Sequence, residues 1–230
     1  MKNGLVFLFL LFLCATTVAG TSYVLLLDAS GSMEEELDTG ERKIDAAKSA
    51  AVEFLDSVST SDEVALIVFY DCNDIRIVSE FTTDFESLKS AVQSVEPDSS
   101  TPIARAIRNA TDYAVSNAHY SKKVIILLSD GEETCDSSSA PAKAAEYAKS
   151  RGVSVIHTIG YDVSPGSNAE NQLRQVANVT GGKYYNASNA QDLKRSLKEV
   201  YEKESGGGLC CCPIPAIVLV LLLAALIIPK

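Results

Sequence analysis

Four apolar runs, residues 23–27, 64–69, 124–128 and 153–159, are mostly continuous and rich in β-branched side chains. Runs of this kind suit strands covered on both faces, as in a parallel sheet. Between them the apolar period changes to that of a helix. Ile44, Ala47, Ala51, Leu55 and Val58 mark one face, Ile103, Ile107, Ala110 and Ala114 a second, and Leu193, Leu197 and Val200 a third. This alternation predicts a doubly wound, Rossmann-like α/β fold with a mostly parallel central sheet and helices on both faces. Ile75-Arg76-Ile77-Val78-Ser79 follows the second run too closely for a crossover helix, so it is expected to pair antiparallel at an edge. Gly181-Gly182-Lys183-Tyr184-Tyr185 reads as a turn into a short last strand.

The two ends differ from the middle. Neither residues 1–20 nor residues 206–230 contain an acidic residue, although the chain has 30 acidic and 20 basic side chains. Residues 1–20 have the layout of a secretory signal: Met1-Lys2, an apolar run, then small residues up to Gly20. Residues 21–204 form the expected domain, and residues 205–208 a Gly-rich linker. Residues 209–230 form an apolar segment long enough, at ~30 Å as a helix, to cross a membrane. The expectation is a single-pass cell-membrane protein with its domain extracellular. A lipid anchor is the alternative, because small residues 205–208 precede a spacer and an apolar tail. The fate of Cys210, Cys211 and Cys212 is open. The net charge of −10 disfavours nucleic acid as a partner, since that binding relies on basic side chains neutralising phosphates.

In a parallel α/β sheet, ligands bind at the carboxyl ends of the strands. The first run ends in Asp28-Ala29-Ser30-Gly31-Ser32, the third in Ser129-Asp130-Gly131, and the second helical face is preceded by Ser99-Ser100-Thr101-Pro102. Oxygens from Asp28, Ser30, Ser32, Thr101 and Asp130, completed by waters, are a set that an octahedral Mg²⁺ accepts, with Mn²⁺ or Ca²⁺ as alternatives. Thr101 before Pro102 also has the form of a helix N-cap.

With these residues the sequence resembles the von Willebrand factor type A domain, the inserted domain of integrins, over nearly all of residues 23–201. The metal-ion-dependent adhesion site of that family consists of an Asp-x-Ser-x-Ser run, a distant Thr and a distant Asp. The matching positions are Asp28, Ser30, Ser32, Thr101 and Asp130. The resemblance implies a divalent ion held by these side chains, with a protein partner's Asp or Glu carboxylate completing its coordination. It also implies that Thr101 and Asp130 exchange direct and water-mediated contact as the site opens, while the last helix slides. The function expected is cation-dependent adhesion or recognition. The alternative is an accessory or scaffold subunit that uses the domain to assemble with other membrane proteins.

Cys72 and Cys135 are the cysteines of the expected domain, and in a secreted context an isolated pair usually forms a disulfide. Asn109, Asn178 and Asn186 each begin an N-glycosylation acceptor pattern. An enzyme is not expected. The chain has no Gly-x-Ser-x-Gly elbow and no phosphate-binding Gly-Lys-Ser/Thr loop, and His157 lies inside an apolar run as a core residue. Glu34-Glu35-Glu36 reads as a solvated acidic loop.

Overall fold

The computed structural model describes residues 20–205 except residue 38. Strands β1 (Thr21–Asp28), β2 (Glu63–Asp71), β3 (Asp74–Thr82), β4 (Lys122–Ser129), β5 (Val155–Tyr161) and β6 (Tyr184–Ala187) form one sheet in the order β3-β2-β1-β4-β5-β6. All neighbours run parallel except β2 and β3, whose tight antiparallel connection places β3 at the edge. The strands differ in burial as this position requires. β1 and β5 are buried along their whole length, whereas every residue of β3 is at least partly exposed.

Six helices, α1 (Lys43–Ser57), α2 (Phe85–Gln93), α3 (Ile103–Asn117), α4 (Ala140–Ser150), α5 (Asn168–Thr180) and α6 (Ala190–Ser205), cover the sheet. Alternation along β1 shows how they divide. Tyr23, Leu25 and Leu27 share a core with Ile44, Leu55, Leu88 and Leu197, so α1, α2 and α6 pack on one face. Val24 and Leu26 share the other with Ile107, Ala145 and Leu173, so α3, α4 and α5 pack opposite. This is the mixed α/β, doubly wound fold that the apolar runs imply. Helices α2, α4 and α5 add to the three faces marked in the sequence. Their apolar positions are sparse, and α4 meets the sheet through Ala144, Ala145 and Ala148.

Strand order reverses between β1 and β4, and a crevice at such a reversal is where this fold class binds ligands. Gly31 is required there: a Cβ on it would stand 2.9 Å from the Asp98 carbonyl oxygen, so the loop after α2 comes close to the turn after β1 only at a residue without a side chain.

The single-pass placement is corrected. Among the described residues no helix is long and apolar enough to cross a membrane. Each helix turns a polar stripe to water, as α6 does around buried Leu193, Leu197 and Val200. The leader at 1–20 (apart from residue 20), the linker at 206–208 and the apolar segment at 209–230 lie outside the described residues. Ser205, assigned to the linker from sequence, is the last residue of α6.

Candidate metal centre

Asp28 ends β1 fully buried. One of its carboxylate oxygens accepts from the Ser30 backbone N–H at 2.8 Å, and the other accepts from the Ser129 hydroxyl at the end of β4. Burial, then the charge of Asp130, push its pKa well above the usual carboxyl range, against the opposing hydrogen bonds from Ser129 and Ser30.

The turn after β1 winds into a short 3₁₀ helix, Gly31–Glu34, which brings Ser30 and Ser32 onto the same side with their hydroxyl oxygens 3.2 Å apart. Ser32 donates to Asp130 Oδ1 at 2.6 Å, and the Asp130 side chain is only 1% exposed. Thr101 arrives from the loop before α3. A Cβ placed on Gly131 would stand 3.3 Å from Thr101 Oγ1 and 3.9 Å from Ser32 Oγ, so glycine leaves a hollow lined by both hydroxyls. The fold thus brings together all five residues singled out in the sequence.

Thr101 does not cap α3. Pro102 occupies the N-cap position and its own side chain makes no capping bond. Glu133 acts instead, accepting from the Ala104 N–H at 2.7 Å and from the Cys135 and Asp136 N–H groups at 2.9 and 3.0 Å. The Thr101 backbone is clamped by Thr134, whose hydroxyl accepts from the Thr101 N–H at 2.9 Å and whose N–H donates to the Thr101 carbonyl at 3.1 Å. The loop after β4 therefore carries Asp130 and also positions Thr101. That loop is bonded to the β2–β3 turn through the Cys72–Cys135 disulfide, with Cα atoms 5.5 Å apart. Asn109, Asn178 and Asn186 lie on α3, α5 and β6 and take no part in the cluster. Thr111 and Thr180, the third residues of two of those patterns, are buried and bonded to backbone carbonyls.

Sequence reading missed Lys43. The first residue of α1, it donates to Asp130 Oδ2 at 3.0 Å and to Glu35 Oε2 at 2.8 Å, with Asp162 Oδ2 at 3.4 Å. Burial opposes its charge, but the hydrogen bonds and negative charge of Glu35 and Asp130 outweigh that, and its pKa is raised. Glu35 accordingly belongs to this ion-paired cluster and not to a free acidic loop. Asp162, at φ 54°, is the one non-glycine residue with a left-handed backbone among the described residues. No sequence signal marks Lys43, because eleven residues separate it from Ser32 and only the packing of α1 returns it to the site.

Among the described residues no group of three or more His, Cys, Asp or Glu side chains is gathered to hold a metal. The donors here are three hydroxyls and two carboxylates, hard oxygen ligands that suit Mg²⁺ or Mn²⁺ better than softer ions.

The profile of the von Willebrand factor type A domain matches residues 24–202. YwmC of Bacillus subtilis (strain 168) is 31% identical over 190 residues, covering 77% of this chain and 81% of YwmC. BatB from Bacteroides thetaiotaomicron has a similar structure, with a TM-score of 0.68 at 21% identity, covering 82% of this chain and all of that one. The vWF domain of the type V pili tip protein Mfa5 from Porphyromonas gingivalis superposes with a TM-score of 0.70 at 15% identity, covering 83% and 96%. Matched over most of its length and carrying that fold, the chain belongs to the von Willebrand factor type A domain family.

Proposed function

We propose that this domain binds a protein partner through a divalent cation, Mg²⁺ or Mn²⁺, held by Asp28, Ser30, Ser32, Thr101 and Asp130. The observation that carries the reading is the convergence of three hydroxyls and two buried carboxylates from three separate segments at the point where strand order reverses. The ion supplies a Lewis-acidic centre able to accept a partner's Asp or Glu carboxylate. Ser30, Ser32 and Thr101 offer neutral oxygens to it. Asp28 and Asp130 offset its charge and orient the hydroxyls and waters around it. Neutral oxygens among the ligands would leave the ion more electron-poor than carboxylates alone, which would favour an incoming anion. The likeness to the pili tip protein is one of fold and is consistent with this role.

Thermal unfolding across a Mg²⁺ titration tests the reading. A ligand that binds only the folded state at a hundred-fold excess over Kd stabilises by about 2.7 kcal/mol. The wild type should shift to this extent, while Asp28→Ala and Thr101→Ala should shift far less. No shift in the wild type, with calorimetry in agreement, would defeat the reading. It would favour a scaffold role in a protein assembly, for which the Lys43–Asp130 pair already gives the cluster an internal counter-charge.

A further inference from the structure

Lys43 is 7% exposed, yet its ammonium sits against a carboxylate of the candidate metal centre. A buried ammonium is costly unless fully partnered, and here the partners come from three places: Glu35 after the 3₁₀ turn, Asp130 after β4 and Asp162 after β5. Glu35 and Asp162 are 65% and 49% exposed, so they hold the ammonium from the rim, whereas Asp130 holds it from within. The Lys43 backbone N–H also donates to the Glu35 carbonyl at 2.9 Å, which fixes the start of α1 against this loop. Glu35 and Asp162 thus give the ammonium two partners besides Asp130.

We propose that Lys43 is a specificity-determining residue that weakens the hold of the centre on its divalent ion and strengthens the pull of the bound ion on an anionic partner. The inference rests on the proposed cation site. The carboxylates around the centre, Asp28 and Asp130 within and Glu35 and Asp162 at the rim, outnumber the two charges of a divalent ion. Lys43 adds one positive charge against them, so the bound ion would keep more of its pull on an anion than it would beside a neutral residue. The same charge repels the arriving cation at short range in a poorly screened site, so the two effects have opposite sign. Lys43 thereby selects partners with a carboxylate over neutral oxygen donors.

The test uses the full chain as wild type, Lys43→Met, Lys43→Gln and Lys43→Arg. Calorimetry measures the affinity for Mg²⁺, and water-proton relaxation of the Mn²⁺-loaded protein measures displacement of bound water by acetate. Removing the charge should tighten Mg²⁺ binding about ten-fold or more and weaken acetate binding at saturating Mn²⁺ by a similar factor. Lys43→Arg should stay within about three-fold of wild type in both, since the charge is kept. Lys43→Gln keeps a hydrogen-bonding group and serves if Lys43→Met does not fold, as judged by circular dichroism. Equal Mg²⁺ affinity in the wild type and the neutral variants would overturn the proposal while leaving the cation site standing. So would acetate affinity that does not fall. If neither wild type nor any variant binds a divalent ion, the cation site fails and this inference fails with it.

Discussion

The two ends of the sheet bury similar numbers of acidic groups and satisfy them differently. At the amino ends, Asp62 accepts from the Thr21 N–H at 2.8 Å and from the Tyr201 hydroxyl at 3.0 Å. Glu63 accepts from the Ser22 hydroxyl and the His119 N–H at 2.6 and 2.8 Å, and Glu204 pairs with Lys122 and His157 at 2.9 and 3.0 Å. The hydroxyls in this set are themselves engaged as acceptors, Tyr201 by the Ser59 N–H and Ser22 by the Tyr120 N–H. At the carboxyl ends, Asp130 is held by Ser32 and Lys43, Asp28 by the Ser129 hydroxyl and the Ser30 N–H, and Ser32 lies against Ser30, hydroxyl to hydroxyl. A hydroxyl can rotate and offer a lone pair where it had offered a proton, whereas a backbone N–H or an ammonium cannot. Both ends use backbone N–H groups and an ammonium, but at the carboxyl end two of the hydroxyls, Ser30 and Ser32, are placed side by side and can turn lone pairs to the same point.

Breaking the covalent tie at the ligand end should have the largest effect. The disulfide closes a loop of 63 residues in sequence separation, for which chain entropy gives about 4 kcal/mol. Reduction, or Cys72→Ser with Cys135→Ser, should lower unfolding stability in urea by roughly this amount. Hydrogen exchange should show the loop at 131–136 opening first while the Thr21 amide stays protected, because Thr101 and Thr134 depend on that loop. Equal loss of protection at both ends would remove the distinction between them.

The amino end should respond to acid. The hydrogen bond from His157, against the opposing effect of burial, and then the hydrogen bond and charge of Lys122 hold the Glu204 pKa at about 2, below its ordinary value of 4.5. The folded-state pKa is depressed, so this stabilisation is complete above about pH 4.5 and is lost as pH falls toward about 2. Discounted for screening by solvent, the pairing contributes about 2 kcal/mol. Glu204→Gln should be less stable at pH 7 and should lack this part of the acid dependence in denaturant titrations at pH 2 to 7. A wild-type-like acid profile in the variant would assign the dependence elsewhere. The smallest effect expected is that of Tyr201→Phe, which removes the hydrogen bonds to Asp62 and from the Ser59 N–H and should cost about 1–2 kcal/mol without altering Mg²⁺ affinity.

These regions were not equally legible. The first-strand motif could be read because Asp28, Ser30 and Ser32 lie on one turn, and Asp130 because it follows an unmistakable apolar run. Thr101 was legible from the Ser-Ser-Thr-Pro run that precedes the second helical face, but its apparent role as a helix cap belongs to Glu133. The amino-end clusters left no trace in local pattern. Ser22 with Glu63, and Asp62 with Tyr201, are 41 and 139 residues apart and meet only after the parallel strands align and α6 docks.

The sequence by itself determined the fold class, the antiparallel edge and the five oxygen-bearing residues, because apolar period and residue order are local properties that each segment carries alone. Only the tertiary structure decided that Lys43 stands against Asp130, that Glu133 caps α3, and that the Ser30 and Ser32 hydroxyls meet beside buried carboxylates at one end of the sheet. Those outcomes depend on which distant charges meet in a dry interior, and there the free energy of an ionised group is set by its neighbours and not by its own chemistry.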